Sequence, residues 1–373
     1  MSVYKITLRD PEIDLIGFIV IDSLVNGMSA GGLRMTSNVS LEEVEELAKV
    51  MTKKYMVSGV EMGGAKSGII YNPDKHDKNE LIRRFAELAK PFLVENYLLG
   101  EDLGVTVADI ESVYRAIKIN PVALVKARLE SKGIKVNVSP DIKLNTLFNK
   151  ENAVKVVGST IITSTQKAVG YLRKSLDEMT IAVQGFGTIG QVSAESIYRL
   201  GGKIIAVEDV EGCIYCLDGL DIPNLISKTS ISGIIDRTRI DPRYELKPNG
   251  SWVEGAEILI PAAIKHSINE TNVHKINASI IIEAANVPVS KDAERYLIEK
   301  GTIIIPDFIC NSGAAAFFGM LISGQEDLET IFEKVQSNVE NSLVEILEDA
   351  KGFERNVRKA ANYYIQKNHL TTK

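Results

Sequence analysis

Apolar and polar positions change period along this chain, and the changes mark its elements. Gly17-Phe18-Ile19-Val20-Ile21 is a short apolar run of strand type, and Gly31-Gly32-Leu33-Arg34-Met35 follows a glycine-marked bend. Leu41, Val44, Leu47, Ala48, Met51 and Tyr55 then recur at helical spacing, forming one stripe. Ser40-Leu41-Glu42-Glu43 opens that helix as a capping box, with hydroxyl and carboxylate serving free amides of the first turn. The pair Gly63-Gly64 reads as a break before a strand at Gly68-Ile69-Ile70-Tyr71, which Asn72-Pro73 ends. Helices are predicted around 78–96 and 106–118.

Residues 126–150 are polar and without clear period, which predicts a linker. Beyond about 151 helix and strand alternate. The strands are predicted at Met179–Val183, Lys203–Val207, Ile258–Ile260, Ser279–Ile282 and Thr302–Ile305. Continuous apolar strands separated by helices indicate a parallel sheet covered on both faces. The tail from 326 to 367 is amphipathic helix, interrupted near Gly352. No internal repeat or low-complexity segment is evident.

Composition narrows the classes. The chain has 373 residues, 45% hydrophobic and 25% charged, enough for two globular domains and unlike a disordered or fibrous protein. A net charge of −6 gives nucleic-acid binding no electrostatic support. The longest uncharged run, Phe308 to Gln325, contains Asn311, two serines and three glycines, so it reads as a buried helix with its lead-in and no membrane partner is expected. Three cysteines and the lack of a secretory pattern predict a reducing, cytoplasmic setting.

Gly185-Phe186-Gly187-Thr188-Ile189-Gly190 is G-x-G-x-x-G, placed directly after a predicted strand and before a predicted helix. In that context the first glycine permits a tight turn, the second lets backbone approach a pyrophosphate, and the third lets helix pack on strand. The phosphates would rest on the free amides and positive end of the helix. The next strand ends in Glu208-Asp209, where a carboxylate would accept ribose hydroxyls and repel a 2′-phosphate. NAD is therefore the expected cofactor, with Asp209 as the ribose acid.

Three charged residues stand in unusual company. Lys54 falls on the apolar side of the 40–57 helix, three residues after Met51, whereas Lys49 and Lys53 lie opposite. It is either a ligand or a lysine snorkelling from the stripe's edge. Lys66 sits in Gly63-Gly64-Ala65-Lys66-Ser67-Gly68, at the mouth of the predicted strand, where small neighbours would let a substrate approach its amine. Asp102 lies in Gly100-Glu101-Asp102-Leu103-Gly104 and is either a proton carrier or a turn aspartate. Cys213-Ile214-Tyr215-Cys216 has C-x-x-C spacing, but with no second pair and no clustered histidine no metal site is expected.

Several blocks together resemble the Glu/Leu/Phe/Val dehydrogenases. Leu47-Ala48-x-x-Met51-Thr52-x-Lys54 and Gly63-Gly64-Ala65-Lys66-x-Gly68-Ile69 are similar to the family's substrate domain, and Glu101-Asp102-Leu103-Gly104 to its E-D-V-G segment. Ile258–Ala263, Glu283-Ala284-Ala285-Asn286 and Pro306-Asp307-x-x-x-Asn311-x-Gly313 resemble its cofactor-domain blocks. The resemblance covers nearly the whole chain, in order. It implies an α/β protein of two domains: an N-terminal α/β substrate-binding and oligomerisation domain, and a Rossmann-type doubly wound NAD-binding domain. The expected bounds are 1–145, 146–325 and 326–373, the last being C-terminal helices returning to the first domain. It further implies a homo-oligomer that reversibly deaminates an L-amino acid to a 2-oxo acid and ammonia.

By position, the resemblance makes Lys66 the catalytic lysine, Asp102 the proton carrier, and Lys54 the partner of the substrate α-carboxylate. Gly31 and Gly32 would give close backbone contact to the substrate. Asn286 and Asn311 would reach the cofactor's ribose and nicotinamide. Glutamate-specific members carry a lysine where this chain has Ala30, and a serine where it has Phe318. Those two positions predict an apolar substrate of the Leu/Val/Phe type and a place nearer that branch. The alternatives are a glutamate dehydrogenase with an altered side-chain site, and an NAD-binding regulator with a decayed one.

Overall fold

The computed structural model describes residues 2–136, 149–323 and 328–370. The strands are β1 (Tyr4–Asp10), β2 (Leu15–Ile21), β3 (Ser29–Thr36), β4 (Gly63–Ile70), β5 (Tyr97–Glu101), β6 (Thr180–Gln184), β7 (Lys203–Asp209), β8 (Gly212–Tyr215), β9 (Glu245–Lys247), β10 (Ile258–Pro261), β11 (Ile280–Ile282) and β12 (Ile303–Ile305). The α-helices are α1 (Leu41–Val57), α2 (Lys78–Glu95), α3 (Val107–Ala116), α4 (Pro121–Ser131), α5 (Lys150–Tyr171), α6 (Thr188–Arg199), α7 (Ile222–Ser227), α8 (Lys291–Glu299), α9 (Asp307–Cys310), α10 (Gly313–Ser323), α11 (Leu328–Ala350) and α12 (Val357–Leu370).

The chain divides into two compact units. One is Met1–Ala153 with Ala315–Lys334, the other Val154–Ala314 with Val335–Lys373. In the first, a five-stranded mixed sheet runs β1-β2-β4-β3-β5. β1, β2 and β4 are antiparallel neighbours, while β3 is parallel to both β4 and β5. Helix α1 begins at the foreseen cap, the Ser40 hydroxyl accepting from the Glu43 amide, but the other half of the box is spent elsewhere: the Glu43 carboxylate accepts from Arg34. It lies on one sheet face over Phe18, Val20 and the glycines of β4, packing through Val44 and Ala48. Helix α2 covers the opposite face, where Phe85 meets the bare side of Gly17.

The second unit carries a seven-stranded sheet ordered β12-β11-β10-β6-β7-β8-β9. The first five strands are parallel and β8 and β9 are antiparallel, so the predicted parallel sheet gains a hairpin edge. Strand order reverses between β6 and β10. In open α/β sheets that is where a crevice opens outside the carboxyl ends of the strands.

Three expectations change. The linker foreseen at 126–150 begins inside α4, which Asn120 caps by accepting from the Ala123 amide; residues 137–148 of it lie outside the described residues. The break foreseen at Gly63-Gly64 is the start of β4 itself. A Cβ on Gly64 would fall 2.1 Å from the Thr52 amide nitrogen, so the glycine serves close approach of α1 and not a turn. The tail does not return whole to the first unit. Residues 315–334 group with it, but α12 packs on β12 of the second unit, burying Val357, Ala360 and Ala361 and pairing Arg358 with Glu283.

Candidate active site

In the first unit, strand alternation sets the site. Ala30, Gly32 and Arg34 share one face of β3, and Gly64, Lys66 and Gly68 share the same face of β4, because Ala30 pairs with Gly64 and Arg34 with Gly68. This is the face that α1 covers. Lys66 is thus a mid-strand residue, 7% exposed, and not one at the strand's mouth, because β4 begins at Gly63. Lys54, on the buried side of α1, is 8% exposed. Lysine is rarely this buried without a partner.

The Lys66 ammonium lies 3.1 Å from Oδ2 of Asp102, just past the end of β5. Arg34 Nε donates to the same oxygen at 2.9 Å, and its Nη1 donates to Glu43 at 2.6 Å. Burial alone would raise the Asp102 carboxyl, but Lys66 and Arg34 overcome it and hold the group well below the usual carboxylate range. Gly31 and Gly32 have another task than the one expected. A Cβ on Gly31 would fall 1.7 Å from the Ala65 carbonyl, and one on Gly32 2.4 Å from the Glu101 carbonyl. Their bare sides face the neighbouring strands, bringing β3, β4 and Asp102 together. Behind the sheet, Ser67 donates to the Tyr97 hydroxyl, which donates to the Gly31 carbonyl. Phe318, half-buried on α10, stands next to Gly319, whose bare side packs on Val60 and Tyr55 at the end of α1.

In the second unit the glycine turn has the features its sequence foretold. Gly185 is left-handed at φ +87°, and a Cβ on Gly190 would fall 1.8 Å from the Gly185 carbonyl. A Cβ on Gly187 would meet nothing within 4 Å, and Gly187 caps α6 with no side chain over its amides. A bare, open helix N-terminus at a strand-order reversal fits a pyrophosphate. Asp209 closes β7, but its carboxylate is occupied. Arg237 holds both oxygens, and the amides of Glu211 and Ile235 each donate to it at 2.8 Å. The bare, repelling carboxylate expected there is a paired one. Glu208 turns away and accepts from the Gly250 amide at 2.6 Å. Burial pushes it up to about 7, against the amides of Gly250 and Trp252.

Asn286 follows β11 and Asn311 caps α9 just past β12, so both sit at carboxyl ends of parallel strands. The Asn311 amide donates to the Ala284 carbonyl at 2.8 Å, tying the two segments together. Cys213 and Cys216 are both free thiols on and beside β8.

A bare glycine turn at a strand-order reversal in one unit and a buried lysine–aspartate pair in the other fit a nicotinamide-dependent oxidoreductase of amino acids. The chain belongs to the Glu/Leu/Phe/Val dehydrogenase family: residues 4–119 match its dimerisation domain, and residues 151–369 the Glutamate/Leucine/Phenylalanine/Valine dehydrogenase model. It is 29% identical over 336 residues to the NADP-specific glutamate dehydrogenase A1 of Halobacterium salinarum, covering 87% of this chain and 75% of that one. It is 29% identical over 358 residues to the glutamate dehydrogenase of Thermotoga maritima, covering 93% and 81%. The crystal structure of the hetero-hexameric glutamate dehydrogenase from Thermus thermophilus, in its Leu-bound form, has the same fold at 20% identity, with a TM-score of 0.73 over 100% of this chain and 88% of that one.

These relatives correct the substrate expectation. Ala30 and Phe318 pointed to an apolar amino acid and to the leucine/phenylalanine/valine side of the family, yet curated relatives matched over 75% or more of their own length are named glutamate dehydrogenases. The physical reason is that one missing lysine does not make a site apolar when cations from other positions stand on the same face. Arg34 stands on that face, with its guanidinium already paired to Asp102 and Glu43. Three arginines escaped the sequence reading in the roles they hold: Arg34 on Asp102, Arg237 on Asp209 and Arg358 on Glu283. Each pair is far apart in the chain, and no local pattern announces it.

Proposed function

We propose that this protein is a glutamate dehydrogenase with an altered side-chain site, interconverting L-glutamate with 2-oxoglutarate and ammonia as a homo-oligomer. The observation that carries the reading is the buried Lys66–Asp102 pair on a sheet face cleared by glycines. The curated glutamate dehydrogenases it resembles support the substrate. The nicotinamide dinucleotide supplies hydride acceptance and donation at Cα.

Lys54 holds the substrate α-carboxylate, which fixes Cα for hydride transfer. Lys66, as a neutral amine, takes a proton from the water that attacks the imine carbon. As an ammonium it polarises the oxo group in reverse. Asp102 carries protons to and from the amino nitrogen. Both cations engage Oδ2, so Oδ1 is the oxygen left for that exchange. In the second unit, Gly185–Gly190 would hold the pyrophosphate, Asp209 with Arg237 would stand at the adenosine ribose, and Asn286 and Asn311 at the nicotinamide half.

The test is oxidation of NADH and of NADPH with ammonium and a panel of 2-oxo acids. Highest kcat/KM for 2-oxoglutarate is expected. A protein that binds NADH but reduces no oxo acid would refute the reading.

A further inference from the structure

Outside the residues that meet substrate or cofactor, the most unusual polar site is a buried cluster beneath the crevice of the second unit. Glu283 ends β11, Asp307 opens α9, and Glu294 stands on α8. One cation meets all three: Arg358 of α12. Its Nη2 lies 2.7 Å from Glu283 Oε2, its Nε 2.6 Å from Glu294 Oε1, and its Nη1 3.6 Å from Asp307 Oδ1. Glu283 is 0% exposed and its Oε1 accepts no hydrogen bond. Burial pushes its carboxyl up to about 7, against the pull of Arg358. Burial of such a cluster is weak evidence for a stabilising role, since replacing a buried ionic cluster with apolar groups is often neutral or better.

What the cluster holds is the backbone of the two asparagine segments. Glu283 Oε2 accepts from the Asp307 amide at 2.9 Å, joining the end of β11 to the start of α9. Asp307 Oδ2 accepts from the Val287 amide at 3.0 Å. Val287 is left-handed, at φ +50°, a costly conformation for a β-branched residue. It directly follows Asn286, so this bond fixes the backbone that aims Asn286. Asn311 closes the same arrangement through the Ala284 carbonyl.

We propose that Arg358 is a positioning residue for the reaction: by clamping Glu283 and Asp307 it fixes Asn286 and Asn311 against the nicotinamide half of the cofactor. The inference rests on the reading that those asparagines meet the cofactor. Without the guanidinium, two adjacent buried carboxylates have no cation, and the strained Val287 turn loses its support. Lysine keeps the charge but not the fork that spans several carboxylates.

The experiment measures NADH Kd by fluorescence, with KM and kcat, in Arg358→Gln, Arg358→Lys, Glu294→Gln, Asn286→Ala and Asn311→Ala. Arg358→Gln should weaken NADH about tenfold or more and lower kcat, with the KM for oxo acid unchanged. Arg358→Lys should fall between. Glu294→Gln loses an Arg358 contact that touches neither asparagine segment, so it should bind NADH normally even if Tm drops. A folded Arg358→Gln with wild-type NADH binding overturns the proposal, as does Glu294→Gln with the same loss. If Arg358→Gln does not fold, Arg358→Lys decides: weaker NADH supports the proposal and wild-type binding overturns it. Unchanged NADH binding in both asparagine variants overturns the reading of those residues, and the proposal with it. Loss there with none at Arg358 overturns the proposal alone.

Discussion

Lys66 and Arg34 meet on a single oxygen of Asp102, at 3.1 and 2.9 Å. One buried carboxylate thus answers two cations, and burial's tendency to neutralise it is outweighed. The arrangement keeps Asp102 ionised across the physiological range while Lys66 remains close enough to exchange a proton through it. Arg34 also reaches Glu43 in the first turn of α1, linking the helix that carries Lys54 to the strand end that carries Asp102.

Lys66→Ala should abolish turnover and leave NADH binding intact. The glycine turn at 185–190 belongs to a different unit. Removing a positioned acid–base group should lower kcat by ~10²–10⁴. Steady-state kinetics beside an NADH titration check this, and near-normal turnover in the variant would remove Lys66 from the chemistry.

Arg34→Gln should change the pH profile. Asp102 would keep Lys66 but lose its second cation, so its carboxyl should rise toward the ordinary range. Asp102 would then take up a proton at a higher pH than in the native protein. The activity that is lost in acid as Asp102 protonates should therefore be lost at a higher pH than in the native protein. A kcat/KM profile whose acid limb does not move would show that Arg34 has no hold on the reacting carboxylate.

Much of the fold was legible because its periods are local. Helix α1 starts at its Ser40 cap, the strands of the second unit fall where the apolar runs are, and the glycine turn is readable from its flanks. The misreadings arose where local pattern and long-range packing diverge. Gly63-Gly64 looks like a break in one dimension; in three it lets α1 lie on the sheet. Arg358 looks like one more charge on an amphipathic tail, and its partner Glu283 is 75 residues away. Asp209 was recognised as the strand-end acid, but Arg237, 28 residues later, changes what that acid can do. The substrate was misjudged from Ala30 and Phe318 because specificity depends on where charge stands in the folded site.

Cofactor choice should respond to Arg237. Asp209 already accepts from two amides and from both arms of the guanidinium, so its charge is balanced and its lone pairs are used. Discrimination against a 2′-phosphate should accordingly be modest in the native protein. Arg237→Ala would leave a carboxylate with two amides but no cation, and the kcat/KM ratio of NADH to NADPH should rise by about tenfold or more. An unchanged ratio would place the Asp209–Arg237 pair away from the adenosine ribose.

Thermal stability should fall as pH rises toward neutrality. Glu208 is pushed from an ordinary 4.5 up to about 7, chiefly by burial. Between those values the folded protein keeps a proton that the unfolded chain has released. Stability therefore decreases with rising pH across that window and levels off above it. Glu208→Gln keeps an acceptor for the Gly250 amide but has no proton to lose. Its Tm should decline less than that of the native protein between about pH 5 and about pH 8. Parallel Tm curves would show that the Glu208 carboxyl does not titrate in the fold as described.

On the proposed glutamate reading, substrate choice turns on which cation meets the distal carboxylate. Ala30 offers none, and it is fully buried on the face shared by Lys66 and Arg34. A carboxylate taken into such a site without a partner costs several kcal/mol. Under the proposed glutamate specificity, cations at other positions offset that cost, and the native protein should bind 2-oxoglutarate more weakly than a site with a dedicated lysine would. Ala30→Lys places an ammonium on the strand where the glutamate-specific members of the family carry theirs. A charged hydrogen bond contributes about 1.5–3 kcal/mol, so the KM for 2-oxoglutarate should fall roughly 10- to 100-fold. The comparison needs kcat/KM for 2-oxoglutarate in native and variant enzyme, with Tm to show that the lysine is tolerated. A stable Ala30→Lys enzyme whose 2-oxoglutarate KM is unchanged or higher would place the distal carboxylate away from β3.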